Sequence, residues 1–135
     1  MGRVLAIDYG DQRIGLALSD PLKIIASPYQ TIENNNNDYS VDVIQKIIID
    51  KDVELTIVGL PLSMSGEDTE QTKKVKDFSN KLSSRNIDIK FIDERWSSKA
   101  AKRAMKHQGI KTGHNKPLVD QTAAAIFLQQ YLDQK

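Results

Sequence analysis

The apolar positions of this chain fall in short runs with sharp stops. Val4-Leu5-Ala6-Ile7 is continuous, ends on Asp8, turns at Tyr9-Gly10, and resumes as Ile14-Gly15-Leu16-Ala17-Leu18. Two such runs around a glycine-bearing turn predict adjacent strands over Arg3–Asp8 and Arg13–Ser19. The stretch from Ile24 to Ile32 adds a third strand, broken by Pro21 and Pro28, and the opening of the fold is therefore antiparallel. After a polar turn at Asn34–Asn37 the period changes. Val43, Ile44, Ile47 and Ile48 recur at helical spacing and predict a helix over Tyr39–Asp50. Glu54–Leu60 reads as a short apolar strand ending at Pro61. A loop over Ser63–Gly66 leads into a helix over Thr69–Ser83, with Val75, Phe78 and Leu82 on one face. Asp88–Ile92 is the next strand. Ser97–Gln108 reads as a helix ended near Gly109, and Pro117 suits the first turn of a last helix running to about Leu132. Strands first, then alternating helix and strand, predict an α/β fold: a mixed sheet of about five strands with helices packed on its faces.

Composition bounds what such a fold can be. With 135 residues the chain is expected to form one domain over 1–135, large enough for a core but too small for two. Charged residues make up 27% and the hydrophobic class 39%, which excludes wholesale disorder. No cysteine is present, so disulfides, thiolate metal sites and cysteine catalysis are excluded. The sequence shows no basic-then-apolar leader and no apolar run near the ~20 residues of a membrane helix, so a cytoplasmic protein is expected.

The net charge of +1 hides an asymmetry. Arg95, Lys99, Lys102, Arg103, Lys106, Lys111 and Lys116 follow one another with no acid among them. Segregation of one sign suits a polyanion reaching one face of the molecule, although a solvated helix face would show the same charges. Lys99, Lys102, Arg103 and Lys106 share a helix face that would track a nucleic-acid backbone.

The acids give the chemistry. In an α/β sheet the site forms beyond the carboxyl ends of strands. Asp8 ends the first strand, Asp93 and Glu94 end the last, and Asp120 sits in the first turns of the final helix. A carboxylate at such a position is costly to bury without a cation or donors. Three carboxylates converging on one point would repel one another unless cations are bound between them. Hard oxygen donors, without cysteine or a clear histidine pair, favour Mg²⁺ or Mn²⁺ over Zn²⁺. Two such ions about 4 Å apart are the arrangement that hydrolyses a phosphodiester. Arg13 and Arg95 would hold the phosphate. Each acid also has a plainer explanation: Asp8 as a turn cap, Asp120 as an acid favoured by a helix N-terminus, Glu94 as the partner of Arg95 or a lysine.

The glycines add to the picture. Gly10 lets the chain turn and lets a phosphate approach its backbone. Gly15 leaves a gap in the second strand where another backbone or a ligand can come close. The segment from Gly59 to Gly66 either lines the site through backbone N–H groups or is only a turn. His107 and His114 lie in the basic region and are more simply bystanders than acid–base groups. Trp96 stacks on a base or, more simply, fills the core.

Four segments taken together resemble a known family. They are Asp8-Tyr9-Gly10 with Arg13-Ile14-Gly15-Leu16-Ala17; Gly59-Leu60-Pro61-Leu62 to Gly66; Asp93-Glu94-Arg95 with Ser97-Ser98; and Asp120 with Ala123-Ala124. Their order and span resemble the YqgF family of Holliday-junction resolvases and pre-16S rRNA nucleases across nearly the whole chain. The resemblance implies a ribonuclease-H-like fold and metal-binding catalytic acids at Asp8, Glu94 and Asp120. It also implies that Arg13 and Arg95 lie close to the phosphate. Related junction resolvases are expected to end the fourth strand on an acid, where this chain has Val58-Gly59-Leu60-Pro61. Glu94 is the replacement by inference, and Asp93 and Glu67 remain alternatives. Trp96 and Ser98 are milder departures.

The implied substrates are precursor 16S rRNA and branched DNA. The rRNA role is favoured, since symmetric cutting of a four-way junction calls for paired active sites and the sequence carries no evident dimerisation element. Two competing classes are a noncatalytic nucleic-acid-binding protein using the same basic helix, and a relative of the actin-like ATPases. The latter need two such domains around the nucleotide.

Overall fold

The structure, a computed structural model, describes residues 2–62, 65–93 and 116–134. Its elements in chain order are β1 (Arg3–Tyr9), β2 (Arg13–Ser19), β3 (Ala26–Glu33), α1 (Asn37–Asp50), β4 (Val53–Leu60), α2 (Glu70–Ser83), β5 (Ile89–Asp93) and α3 (Lys116–Asp133). The strands form one five-stranded sheet in the order β3-β2-β1-β4-β5. β1 pairs antiparallel with β2, and β2 with β3, while β1–β4 and β4–β5 are parallel.

The unbroken apolar run of β1 follows from its place at the centre of the sheet. Val4, Leu5, Ala6 and Ile7 are all buried because both faces of the strand are covered. Alternation sends Leu5 and Ile7 to one core, with Ile14, Leu16 and Val58 from neighbouring strands. There they meet Val41 and Ile44 of α1 and Val75, Phe78 and Leu82 of α2. Val4 and Ala6 go to the other core, with Ala17 and Ile57, under Ala124, Phe127 and Leu128 of α3. α3 lies across β2, β3 and β1.

β3 is an edge strand, which is why it tolerates Pro28. A proline has no N–H for a ladder, and the β2–β3 register slips between Leu16 and Ala17, so that Gln30 and then Pro28 are the partners. The strand begins at Ala26, two residues after the predicted start, and Leu22, Ile24 and Ile25 stay exposed in the loop before it. That loop is shaped by Asp20, whose carboxylate accepts from the N–H groups of Ile24 and Ile25 at 2.8 and 2.9 Å. The bond from Ile25, followed by that from Ile24, holds the Asp20 carboxyl below the usual carboxylate value of 3.8.

α1 starts earlier than the polar turn over 34–37 predicts. Asn36 is extended at φ −156° and its side chain accepts from Tyr39 N at 2.7 Å, so it is the N-cap of a helix whose first residue is Asn37. α2 is capped by a reciprocal pair, Thr69 and Thr72, and Thr72 Oγ1 also donates to the Pro61 carbonyl at 2.8 Å. The predicted helix over Ser97–Gln108 lies outside the described residues.

Candidate active site

Parallel pairing brings the carboxyl ends of β1, β4 and β5 to one edge of the sheet. The antiparallel step brings the start of β2 to the same edge, with Asp8 opposite Gly15 and Tyr9 opposite Ile14. Since Val4 and Ala6 face α3, alternation turns Asp8 to the α3 side of the sheet as well.

Gly15 joins Asp8 to Asp120. A Cβ built on Gly15 would lie 2.3 Å from both the carbonyl carbon and oxygen of Asp120 and 2.7 Å from Gln121 N. The backbone of α3 thus rests directly on β2 at the position facing Asp8, and any side chain there would force it away. The gap expected at Gly15 exists, and it is the second acid's backbone that fills it. The start of α3 is held down by a further bond, from Thr31 Oγ1 of β3 to the Pro117 carbonyl at 2.6 Å. At the other end of β3, Gln129 of α3 accepts from Ala26 N at 2.9 Å and donates to Ile24 O at 3.0 Å.

Asp120 is the fifth residue of α3, and the first turn contains no acid. The preference of acids for helix N-termini fades within the first turn, so it does not account for Asp120. Its carboxylate instead accepts from Arg13: Nε lies 3.0 Å from Oδ2, with the two side chains 30% and 24% exposed. Arg13 and Asp120 therefore pair at the edge of the sheet where β1 carries Asp8.

The turn between Asp8 and Arg13 is built from the other side by an asparagine network that the sequence pattern does not single out. Asn34 donates through its backbone to Gln12 O at 2.8 Å and through Nδ2 to Gly10 O at 3.1 Å. The same Nδ2 reaches Asn37 Oδ1 at 3.2 Å, and Asn34 Oδ1 accepts from Ser40 Oγ at 2.8 Å. Tyr9 donates to Asn37 Oδ1 at 2.9 Å, and its ring packs 4.7 Å from that of Phe78. Gly10 is close-packed within this turn: a Cβ there would lie 2.5 Å from the Arg13 carbonyl oxygen. Reading 34–37 as a plain polar turn misses this. The available signal is that asparagines in turns hydrogen-bond nearby backbone.

The alternatives for a further acid are also placed. Ile92 packs on the α3-side core and Ile89 on the other, so Asp93 alternates to the side away from Asp8. Glu67 is exposed in the loop before α2. β4 ends on Gly59-Leu60, and the carbonyl of its continuation, Pro61, accepts from Thr72 Oγ1 of α2. Among the described residues no group of three or more His, Cys, Asp or Glu is arranged to hold a metal ion. Glu94, Arg95, Trp96, Lys99, Lys102, Arg103, Lys106, His107 and His114 lie outside the described residues. Lys116 is the first residue of α3.

A five-stranded mixed sheet in this order, with an acid one residue before the end of its central strand and a second carried by the last helix, is a ribonuclease-H-like fold. Solved structures share it. The T. thermophilus RuvC, solved with a Holliday junction substrate, matches at TM-score 0.64 and 13% identity, covering 99% of this chain and 95% of that one. The Fowlpox virus resolvase matches at 0.60 and 8%, covering 98% and 97%. At these identities the likeness is one of fold alone. Among curated sequences, a protein of Fusobacterium nucleatum named "Putative pre-16S rRNA nuclease" is 42% identical over 139 residues, covering 100% of this chain and 99% of its own length. One of the same name from Dictyoglomus turgidum is 39% identical over 132 residues, covering 97% and 94%. The model of the RuvX family, described as Holliday junction resolvase, matches residues 2–134, and the chain belongs to that family.

Proposed function

We propose that the chain is a metal-dependent nuclease that hydrolyses phosphodiester bonds and processes the 5′ end of precursor 16S rRNA. Family membership and relatives named for that activity support the class. The observation that carries the site is the seat of Asp120 on Gly15, the cross-strand partner of Asp8, which sets two carboxylates at one edge of the sheet. An rRNA-processing role would place the protein in the cytoplasm, as a single domain over 1–135. No helix among the described residues is long and apolar enough to cross a membrane.

The donor set fits Mg²⁺ or Mn²⁺. Asp8 and Asp120 offer hard carboxylate oxygens and no thiolate, and Glu94 would complete the set as the family resemblance implies. When bound, such ions would help activate the attacking water and offset charge on the leaving oxygen. The protein's own part is positional. Asp8 is fixed by the centre of the sheet, Asp120 by the contact of α3 with Gly15, and Arg13 and Arg95 orient the phosphate. Lys99, Lys102, Arg103, Lys106 and Lys116 draw in the nucleic-acid backbone.

The family description favours a second substrate, the four-way DNA junction. A cleavage assay with Mg²⁺ or Mn²⁺ on a labelled rRNA 5′ leader and on a junction, with Asp8→Asn as control, separates the two. We expect the leader to be cut and the cutting to vanish in Asp8→Asn, with an unchanged far-UV spectrum. Activity retained in that variant would sink the assignment of Asp8. Cutting of the junction alone would select the second substrate. Salt-sensitive binding with no cutting under either metal would favour a noncatalytic nucleic-acid-binding protein.

A further inference from the structure

Arg13 opens β2 and, by the alternation along that strand, faces the side that α3 covers, as Gly15 and Ala17 do. It is there a partner of the acid brought from the far end of the chain, Asp120, 107 positions away in sequence.

The pair is not what holds Asp120 in place. The backbone at Asp120 is already seated against Gly15, and the Thr31 bond to the Pro117 carbonyl fixes the turn before it. An ion pair with side chains 30% and 24% exposed contributes little to stability. What the pair does is occupy a carboxylate oxygen with a positive charge. A divalent cation at the same carboxylate would need that oxygen or one beside it, and would be repelled by the guanidinium.

Building on the metal-nuclease reading above, we propose that Arg13 is an exchangeable internal counter-ion of Asp120. It neutralises the carboxylate while no divalent ion is bound, yields when the ion enters, and then presents its guanidinium to a phosphate of the nucleic acid. The planar fork suits both partners, since it pairs in the same geometry with carboxylate and with phosphate. Its partial exposure leaves it room to move between them. Metal and nucleic acid are thereby coupled through one side chain: a phosphate that draws Arg13 off Asp120 strengthens metal binding. By linkage, metal strengthens nucleic-acid binding by the same factor.

The test is Mn²⁺ binding to the full chain without nucleic acid, followed by the loss of the free-ion electron paramagnetic resonance signal. Wild type, Arg13→Gln, Arg13→Lys and Asp8→Asn are compared, with folding checked by far-UV circular dichroism. Arg13→Gln should bind Mn²⁺ more tightly than wild type by about fivefold or more, the lower end of ordinary coupling between sites. Arg13→Lys, which keeps the charge, should stay near wild type. An affinity in folded Arg13→Gln that is unchanged or weaker overturns the proposal and makes Arg13 a support for Asp120. If wild type takes up no Mn²⁺, or Asp8→Asn takes it up equally well, the metal reading falls and this inference with it.

Discussion

At Gly15 a missing side chain carries more of the site than most side chains do. A Cβ on this residue would come within 2.3 Å of Asp120, which leaves no room for even a methyl group, and the atoms it would meet are backbone. Gly15→Ala should therefore push α3 off β2. The cost should be ~1–3 kcal/mol, the range for overpacking a tight contact, measured as a fall in the midpoint of urea unfolding. Cleavage should fall further than stability alone explains, because Asp120 moves with the helix backbone. An unchanged midpoint would show that α3 shifts freely and that the contact is not a constraint. The glycine is legible in sequence as a gap in a strand, and so is Asp8 as an acid at a strand end. What fills the gap is not legible, since the contact joins positions whose separation in the chain says nothing about their separation in space. The Arg13–Asp120 pair is hidden for the same reason: Arg13 reads as a phosphate contact because nothing local names its partner.

Among the elements, the run Asn34–Asn37 shows how one residue type does two jobs. Asn36 caps α1, whereas Asn34 ties the turn after Asp8 to the start of α1 through Gln12, Gly10, Asn37 and Ser40. Asn36→Ala should cost about 0.5–2 kcal/mol of stability, as the removal of a cap does, and leave the cleavage rate of the folded protein intact. Asn34→Ala should cost a similar ~1–3 kcal/mol by stranding half-buried partners, and in addition lower kcat, because Asp8 and Arg13 flank the loosened turn. Comparing the two at equal stability isolates the effect on the turn, and equal rates would reduce Asn34 to a structural residue. Hydrophobic periodicity reports the strands and helices well here, since β1 is buried on both faces and α2 presents Val75, Phe78 and Leu82 to one core. It is silent on the asparagines, because side-chain bonds to backbone leave no periodic trace. The β2–β3 loop escapes it for the same reason: Asp20, by accepting from Ile24 and Ile25, keeps both residues out of β3.

At the scale of the whole molecule, charge is segregated along the sequence. The α1–α2 side is compensated, with Lys81 on Asp38 at 2.7 Å, Lys76 on Asp68 at 2.8 Å, Lys74 on Asp11 at 3.2 Å and Arg85 paired with Asp42. The Lys81 bond and charge hold the Asp38 carboxyl below its ordinary value, the sign of a pair formed. The basic stretch from Arg95 to Lys116 contains no acid to do the same. The chain enters that stretch after Asp93, at the carboxyl end of β5, and returns from it at Lys116, the start of α3, so both of its attachments lie at the edge of the sheet that carries Asp8 and Asp120. On the function proposed above, a polyanion drawn to those cations would be drawn toward Asp8 and Asp120, which would let a chain of net charge +1 bind nucleic acid. Replacing Lys99, Lys102, Arg103 and Lys106 with Gln in Asp8→Asn protein should weaken binding and flatten its salt dependence. The slope of log K against log[salt] should fall by about 0.7–0.9 for each phosphate that is no longer neutralised. Replacing Lys74, Lys76 and Lys81 instead removes similar charge from the compensated side and should leave the slope nearly unchanged. Equal flattening in both sets would mean that net charge alone sets the affinity, and that the segregation of the basic stretch along the chain has no part in it.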